Sequence, residues 1–312
     1  MTVVMVVALG LDAGSASAQL AKGAIVQQGM RARFDVDSAI ARATMLRRQN
    51  RRPEAAAVME QALAVAPERE DVRALHALLQ HDLHGGEALA AIDYRTWRTQ
   101  RPDWREAALV VRQNTTLGPI VAGVSRMERD ALRDERLELE LYPAFPKGYL
   151  ALGGSVATDA SLYARTTASA EVFGSLAERV EGSLGYRRMN FDSGVDLLSG
   201  SMGTYVGNFL LGTRVTHVLS DGGTGAQFSA RRFLTDDGQY VGVKLATGSV
   251  PVLLRTPTDF EVRFTQSVAA EARVVMRGLV VLTAEAELGR DGLSGGGSSE
   301  YQAVRVGVGL RY

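Results

Sequence analysis

The chain has no cysteine, so it can form neither a disulfide nor a thiolate metal site. Lysine is nearly absent: Lys22, Lys147 and Lys244 are the only three, and arginine supplies the other basic residues. With 35 basic and 35 acidic residues the chain has no net charge, which gives no electrostatic reason to expect nucleic acid as a partner. No run approaches ~18 consecutive apolar residues, which excludes a transmembrane helix but not a membrane-spanning barrel.

Aromatic residues and glycine are scarce in the first third of the chain, where Phe34 is the only aromatic residue before Tyr94. This change in composition predicts a helical segment followed by a β-domain. At the start, the apolar residues 3–11 and the small-x-small sequence Ala16-Ser17-Ala18 predict a secretory signal peptide over residues 1–18. The predicted signal is incomplete because no Lys or Arg precedes its apolar run, and a buried helix or strand is the alternative.

Residues 36–86 carry apolar side chains at helical spacing. Small Ala55 and Ala62 lie seven positions apart, and Pro67 follows five residues later. This arrangement resembles the second helix of a tetratricopeptide repeat and its exit. We expect one repeat-like unit with a capping helix, which would contact a protein partner or pack on a neighbouring domain.

Residues 88–312 alternate between apolar and polar side chains, with turn residues between the alternating runs. We count fourteen strands, and twelve or sixteen stay open because several boundaries could move. Closed membrane barrels have an even number of strands. The prediction is a mainly β fold, a closed antiparallel transmembrane β-barrel preceded by the short helical segment. A soluble sandwich, whose strands also alternate, is the alternative.

One face of nearly every predicted strand is aliphatic, whereas the other carries charges of both signs. A water-filled lumen would explain this pattern, because a soluble barrel buries its interior and exposes its charges. Outward positions would then include Leu162 and Ala164. The side chains predicted to line the lumen are Glu138, Glu140, Arg165, Glu171, Glu181, Arg187, Arg214, Arg231, Lys244, Glu271, Arg273, Glu285, Glu287, Arg305 and Arg311.

Aromatic side chains cluster near the predicted strand ends, which is where membrane barrels carry interfacial girdles. The strands and turns together leave no long loop to fold into the barrel as a constriction. The residues assigned to the girdles are Tyr149, Tyr163, Phe191, Tyr205, Phe209, Phe233, Tyr240 and Tyr301.

Three segments resemble the YaiO family of outer-membrane β-barrel proteins: residues 180–191 (VEGSLGYRRMNF), residues 200–209 (GSMGTYVGNF) and Arg231-Arg232-Phe233. The resemblance covers residues 36–312. It implies the outer membrane of a Gram-negative cell, a periplasmic helical segment, and an association with surface polysaccharide export. It also implies that the last strand serves as a barrel-assembly signal, through Val304, Val306, Val308, Leu310 and Tyr312.

Candidate chemistry is sparse. His81 and His84 are three residues apart but have no neighbouring cysteine, so we expect no metal and no cofactor. His217 with Asp221 is the only set that would suit a hydrolase or acyltransferase, and we expect no enzyme. The expected role is transport, export or anchoring, with an enzyme or a non-conducting scaffold as alternatives. Expected partners are outer-membrane lipid, the barrel-assembly machinery, a periplasmic protein and a glycan.

Overall fold

The computed structural model describes residues 35–48, 51–98, 102–115, 117–145, 147–177, 179–219, 222–235, 238–249, 262–293 and 297–312. The predicted signal peptide, residues 1–18, lies outside this part of the chain. The chain divides into two compact units, which meet in sequence at Leu79 and Gln80. The first unit is helical and the second is a β-barrel.

Three helices precede the barrel: α1 (Val36–Arg48), α2 (Arg52–Val65) and α3 (Glu70–His84). Asp35 caps α1, because its carboxylate accepts hydrogen bonds from the Ser38 hydroxyl (2.5 Å) and the Asp37 amide (3.1 Å). These bonds, led by the one from the Ser38 hydroxyl, lower the pKa of Asp35. Among the described residues, no helix is long and apolar enough to cross a membrane.

Helices α1 and α2 pack against each other through small side chains. Ala55 and Ala62 on α2 are fully buried, together with Met59. Pro67 is exposed and follows the end of α2 by two residues. The predicted small-residue positions are therefore buried, while the assignment of the unit as a tetratricopeptide-like repeat stays a prediction.

The second unit is an antiparallel barrel of fourteen long strands and one two-residue strand, β5, which pairs beside β6. The sheet closes where β1 pairs with the last strand. The closed fourteen-strand fold predicted from the alternating pattern is confirmed. The strands are β1 (Gly86–Trp97), β2 (Trp104–Gln113), β3 (Ile120–Arg129), β4 (Leu132–Leu141), β5 (Ala144–Phe145), β6 (Gly148–Ala157), β7 (Thr166–Ala177), β8 (Val180–Asn190), β9 (Gly194–Val206), β10 (Phe209–Val218), β11 (Thr224–Phe233), β12 (Tyr240–Gly248), β13 (Val262–Met276), β14 (Val280–Leu293) and β15 (Ser298–Arg311).

Gly86 and Tyr312 approach each other closely at one end of the pairing that closes the barrel. The Gly86 amide donates to the Tyr312 carbonyl oxygen (2.7 Å), and the Tyr312 amide donates to the Gly86 carbonyl oxygen (3.0 Å). A Cβ at position 86 would lie 2.3 Å from Cζ of the Tyr312 ring, so a side chain there would require the exposed ring to move. We call this end of the barrel the Tyr312 rim, and the opposite end, where β1 finishes, the Trp97 rim.

The aliphatic face of the strands points away from the barrel axis. Ile92, Leu139 and Val306 are between 49% and 59% exposed, and each is flanked along its strand by residues of the opposite face. Towards the Trp97 rim the same outer face turns polar: Arg133 pairs with Glu135 (2.8 Å) and Arg188 with Asp196 (3.1 Å). An apolar outer band that ends in charged pairs matches the expected surface of a barrel in a membrane.

Residues 158–165, here called the plug segment, leave the wall between β6 and β7 and enter the barrel. The Ala157 amide donates to the Arg165 carbonyl oxygen (3.0 Å), so the two ends of the segment lie side by side. Leu162, Tyr163 and Ala164 are buried inside. Two sequence-based expectations were therefore wrong: Leu162 and Ala164 do not face outward, and an inward constriction does form. Eight residues are enough to enter the barrel and return, because the two ends of the segment belong to adjacent strands.

Candidate functional site

The lumen is the candidate functional site, because ion pairs inside the barrel connect strands that are not neighbours. Glu271 on β13 contacts Arg231 (2.6 Å) on β11 and Lys244 (2.9 Å) on β12, and Lys244 also contacts Glu285 (2.8 Å) on β14. Such pairs can form only if these side chains share the inner face. Strand pairing puts Ser229 opposite Lys244 and Gly242 opposite Arg231, which leaves space for the long cations.

A second group of ion pairs joins the two ends of the sheet across its closure. Glu87 on β1 contacts Arg273 on β13 (2.5 Å) and Arg311 on β15 (3.6 Å), and Arg95 contacts Glu287 (3.2 Å). A partly buried charge that loses its partner is costly, and removing one member of such a pair destabilises a protein by about 3–5 kcal/mol. These pairs link β1 to β13, β14 and β15 on the inner face of the barrel.

The plug segment is held by charged side chains of the wall. Asp134 is fully buried, and its Oδ2 accepts hydrogen bonds from the amides of Leu162 (2.6 Å) and Tyr163 (3.0 Å). The Tyr163 hydroxyl donates to Glu106 Oε1 (2.8 Å), while the Arg136 guanidinium lies 4.3 Å from the centre of the Tyr163 ring. We call Asp134, Glu106 and Arg136 the latch.

Apolar side chains pack around the plug segment inside the half of the barrel next to the Trp97 rim. Leu162 and Tyr163 pack with Trp104 and Met127 of β2 and β3. Ala164 packs against the facing side of the wall, where the contributing side chains are Met189, Val195, Leu197 and Val218. The plug segment and these apolar side chains together form a cluster inside the barrel near the Trp97 rim, which we call the stopper.

Two cavities remain between the stopper and the Tyr312 rim. One, of about 270 Å³, is lined by residues that include Glu138, Arg187 and Arg305. The other, of about 310 Å³, is lined by residues that include Tyr142, Phe173 and Arg187. Arg187 borders both cavities, so they are neighbouring parts of one lumenal space.

The side chains that were predicted to line the lumen differ in their position and contacts. Arg165 is exposed and lies just before β7, at the foot of the plug segment. Glu181 on β8 and Glu140 on β4 lie near the Tyr312 rim, where Glu140 accepts a hydrogen bond from the Tyr142 hydroxyl. Glu171 and Arg214 form an ion pair (2.8 Å), and the ion pairs and cavities described above include the others. That these side chains border a conducting path stays a prediction, as does the role of the last strand in assembly.

Several aromatic side chains assigned to an interfacial girdle face the lumen instead. Tyr149 stacks on Phe173 with ring centres 4.5 Å apart, and the two residues are paired across β6 and β7. Tyr240 lies under the lumenal Arg231 (4.8 Å), and the Tyr301 hydroxyl donates to Glu287 (2.9 Å). They lie near strand ends as expected, but the register puts them on the inner face. Phe209, which is 45% exposed, does face outward.

Sequence reasoning missed the latch. The predicted lumenal residues begin with Glu138, whereas β4 begins at Leu132. Asp134 and Arg136 continue the inner-face register of Glu138. Extending the period-two pattern backwards by two steps would have identified both residues.

Of the two residues considered for an enzyme, the structure describes His217 alone. His217 is next to the buried Thr216 near the Trp97 rim, and its Nδ1 lies 2.9 Å from the Thr224 hydroxyl. Asp221, the residue considered together with His217, lies outside the described part of the chain. No group of three or more His, Asp or Glu side chains suited to hold a metal ion occurs in that part either.

Comparison with solved structures finds bacterial outer-membrane barrels. The Acinetobacter baumannii outer membrane protein Omp33 is 11% identical (TM-score 0.46) over 75% of this chain and 100% of that one. A bacterial polysaccharide outer membrane secretin is 12% identical (TM-score 0.43) over 74% and 99%. A KdgM porin is 9% identical (TM-score 0.39) over 71% and 98%.

No curated protein sequence matches the chain. Residues 87–253, more than half of the chain, match the family described as the YaiO membrane beta barrel domain. The match begins within β1 and extends past the end of β12, so it includes the latch, the plug segment and Arg187. The chain belongs to the YaiO family of outer-membrane β-barrel proteins.

Proposed function

We propose that the barrel is a gated passage for a polar solute across the outer membrane, closed in this conformation by the plug segment. The observation that carries the proposal is the contrast within the lumen. The wall carries charged side chains and borders two cavities, whereas the plug segment is a short loop that the latch holds in place. A loop between two adjacent strands can move aside without breaking the pairing of the wall.

We also propose that the Tyr312 rim faces the periplasm and that the helical unit contacts a periplasmic protein. Outer-membrane barrels have short periplasmic turns and longer extracellular loops. The two longest connections between the described strands, 158–165 and 249–261, both lie at the Trp97 rim, whereas no connection between the described strands at the Tyr312 rim exceeds six residues. This asymmetry supports the orientation.

The experiment is a planar-bilayer recording of the purified full-length chain and of a variant in which residues 158–164 are replaced by a Gly-Ser linker of equal length. We expect rare openings from the wild-type chain and sustained conductance from the variant, because a Gly-Ser linker lacks the apolar side chains that pack against the wall around the plug segment. The heat-dependent mobility shift of folded barrels in gels checks that both proteins are assembled.

Silence of both assembled proteins would contradict a passage and favour the scaffold, in which the barrel only anchors the helical unit. The enzyme alternative gains no support from His217, whose described hydrogen bond goes to a threonine. We propose no catalytic role for the chain.

A further inference from the structure

Two guanidinium groups face the lumenal cavities without a direct ion pair to a carboxylate. Among the described residues, neither Arg187 on β8 nor Arg305 on β15 forms an ion pair or a hydrogen bond through its guanidinium. By contrast, Arg214, Arg231 and Arg273 each contact a glutamate. Strands β8 and β15 lie on opposite sides of the closed sheet, so the two free cations approach one cavity from both walls.

Arg187 is the more available of the two. Its side chain keeps an exposed surface although it points into the barrel, so that surface opens into the lumen. Gly153 and Gly185 line the same cavity and have no side chains that would fill the space beside Arg187. The lumenal carboxylates whose charge acts on Arg187 contact other groups. Glu171 binds Arg214 (2.8 Å), Glu138 binds Arg136 (3.4 Å), and Glu140 accepts a hydrogen bond from the Tyr142 hydroxyl. A planar guanidinium in this setting suits a carboxylate or phosphate oxygen pair.

An aromatic ledge borders the same space. The Tyr149 and Phe173 rings are stacked at an interplanar angle of 10°, and Tyr142 lies 6.1 Å from Tyr149. Tyr142 and Phe173 line the cavity of about 310 Å³ together with Arg187 and Glu140. Aromatic faces accept the C–H side of a pyranose ring, while carboxylates accept its hydroxyl groups.

We propose that the Arg187 site, formed by Arg187, Glu140, Tyr142 and Phe173, binds one acidic sugar unit of a glycan. The sugar carboxylate would pair with Arg187, its ring would lie on the aromatic ledge and a hydroxyl would donate to Glu140. The cavity volume is at the small end of ligand sites, about 300–1,000 Å³, which suits a single unit. This proposal rests on the proposed passage, for which it names the class of solute.

The test is isothermal titration calorimetry of the detergent-purified full-length chain with trigalacturonate as the acidic probe and maltotriose as the neutral one. We expect trigalacturonate to bind the wild-type chain at least tenfold more tightly than maltotriose. Arg187→Gln should weaken trigalacturonate binding at least tenfold, because a charge-assisted bidentate contact is lost. Arg187→Lys should lose less. Arg188→Gln is the matched control, because Arg188 is the next residue but faces outward to Asp196.

Equal affinity of the wild-type and Arg187→Gln chains for trigalacturonate would overturn the site, and so would the absence of binding. Inorganic phosphate that binds as tightly as trigalacturonate would overturn the sugar class and leave a general anion site. Calorimetry needs no conductance. A barrel that binds trigalacturonate through Arg187 but stays silent after the plug replacement would therefore contradict the passage and not the site.

Discussion

Replacing Asp134 with alanine is expected to raise the open probability of the barrel in planar-bilayer recordings about a hundredfold. Asp134 accepts two hydrogen bonds from plug amides, and bonds to a charged group contribute about 1.5–3 kcal/mol each. Loss of about 3 kcal/mol from the closed state corresponds to roughly two factors of ten in the ratio of closed to open barrels. The wall itself keeps its backbone pairing, since the pairing of β4 with β3 does not use the side chain.

Asp196→Ala is the control for this prediction. Asp196 is also a carboxylate near the Trp97 rim, but it faces outward and binds Tyr186 and Arg188. It should leave the conductance unchanged. If Asp134→Ala gives little assembled protein, Tyr163→Ala tests the same latch from the plug side by removing the bond to Glu106. Assembled Asp134→Ala and Tyr163→Ala barrels that open no more often than the wild-type chain would show that the plug segment is not the gate.

Replacing Val243 with arginine is expected to lower the free energy of unfolding in lipid vesicles by about 2–4 kcal/mol. Val243 lies in the middle of β12, faces outward and is 51% exposed, between Ala230 and Ala270 of the neighbouring strands. In the membrane that exposed surface meets hydrocarbon, where a guanidinium loses its hydration. The natural cation at the next position, Lys244, is tolerated because it faces the lumen and two glutamates.

Thr247→Arg provides the depth control on the same face of β12. Thr247 lies one residue from the end of the strand, where an added arginine costs only about 0–1 kcal/mol. Denaturant titrations of both variants in vesicles compare the two positions directly. Equal losses, or no loss at Val243, would mean that water reaches the outer face.

The barrel could be predicted from the sequence because its signal is local. Each strand repeats the alternation between an aliphatic and a polar side chain. The turns carry glycine or aspartate, as in the turn at Arg277 and Gly278, where both residues have positive φ. Strand number and closure followed from counting these units. The charges of β11 to β14 alternate so regularly that their common face could also be predicted.

The plug could not be predicted because its contacts are distant in sequence. Leu162-Tyr163-Ala164 has the alternation of a wall strand, and only Asp134, 28 residues earlier, and Glu106, 57 residues before Tyr163, determine that it turns inward. The alternation of side chains along a strand also does not predict whether an aromatic side chain near the strand end faces the lumen or the lipid. Tyr149 and Tyr301 depend on register, and a shift by one residue would have moved both to the lipid side.

The account depends most on which face of the wall meets lipid, and site-directed spin labelling tests this most directly. Because the chain has no cysteine, single cysteines can be introduced one at a time at residues 282–288 of β14 and labelled in vesicles. We predict that oxygen accessibility peaks at positions 282, 284, 286 and 288, while a water-soluble nickel reagent reaches positions 283, 285 and 287. The reverse pattern, with nickel access at Leu282 and Ala284 and a dry environment at Glu285, would contradict the barrel's orientation in the membrane and the lumenal site with it.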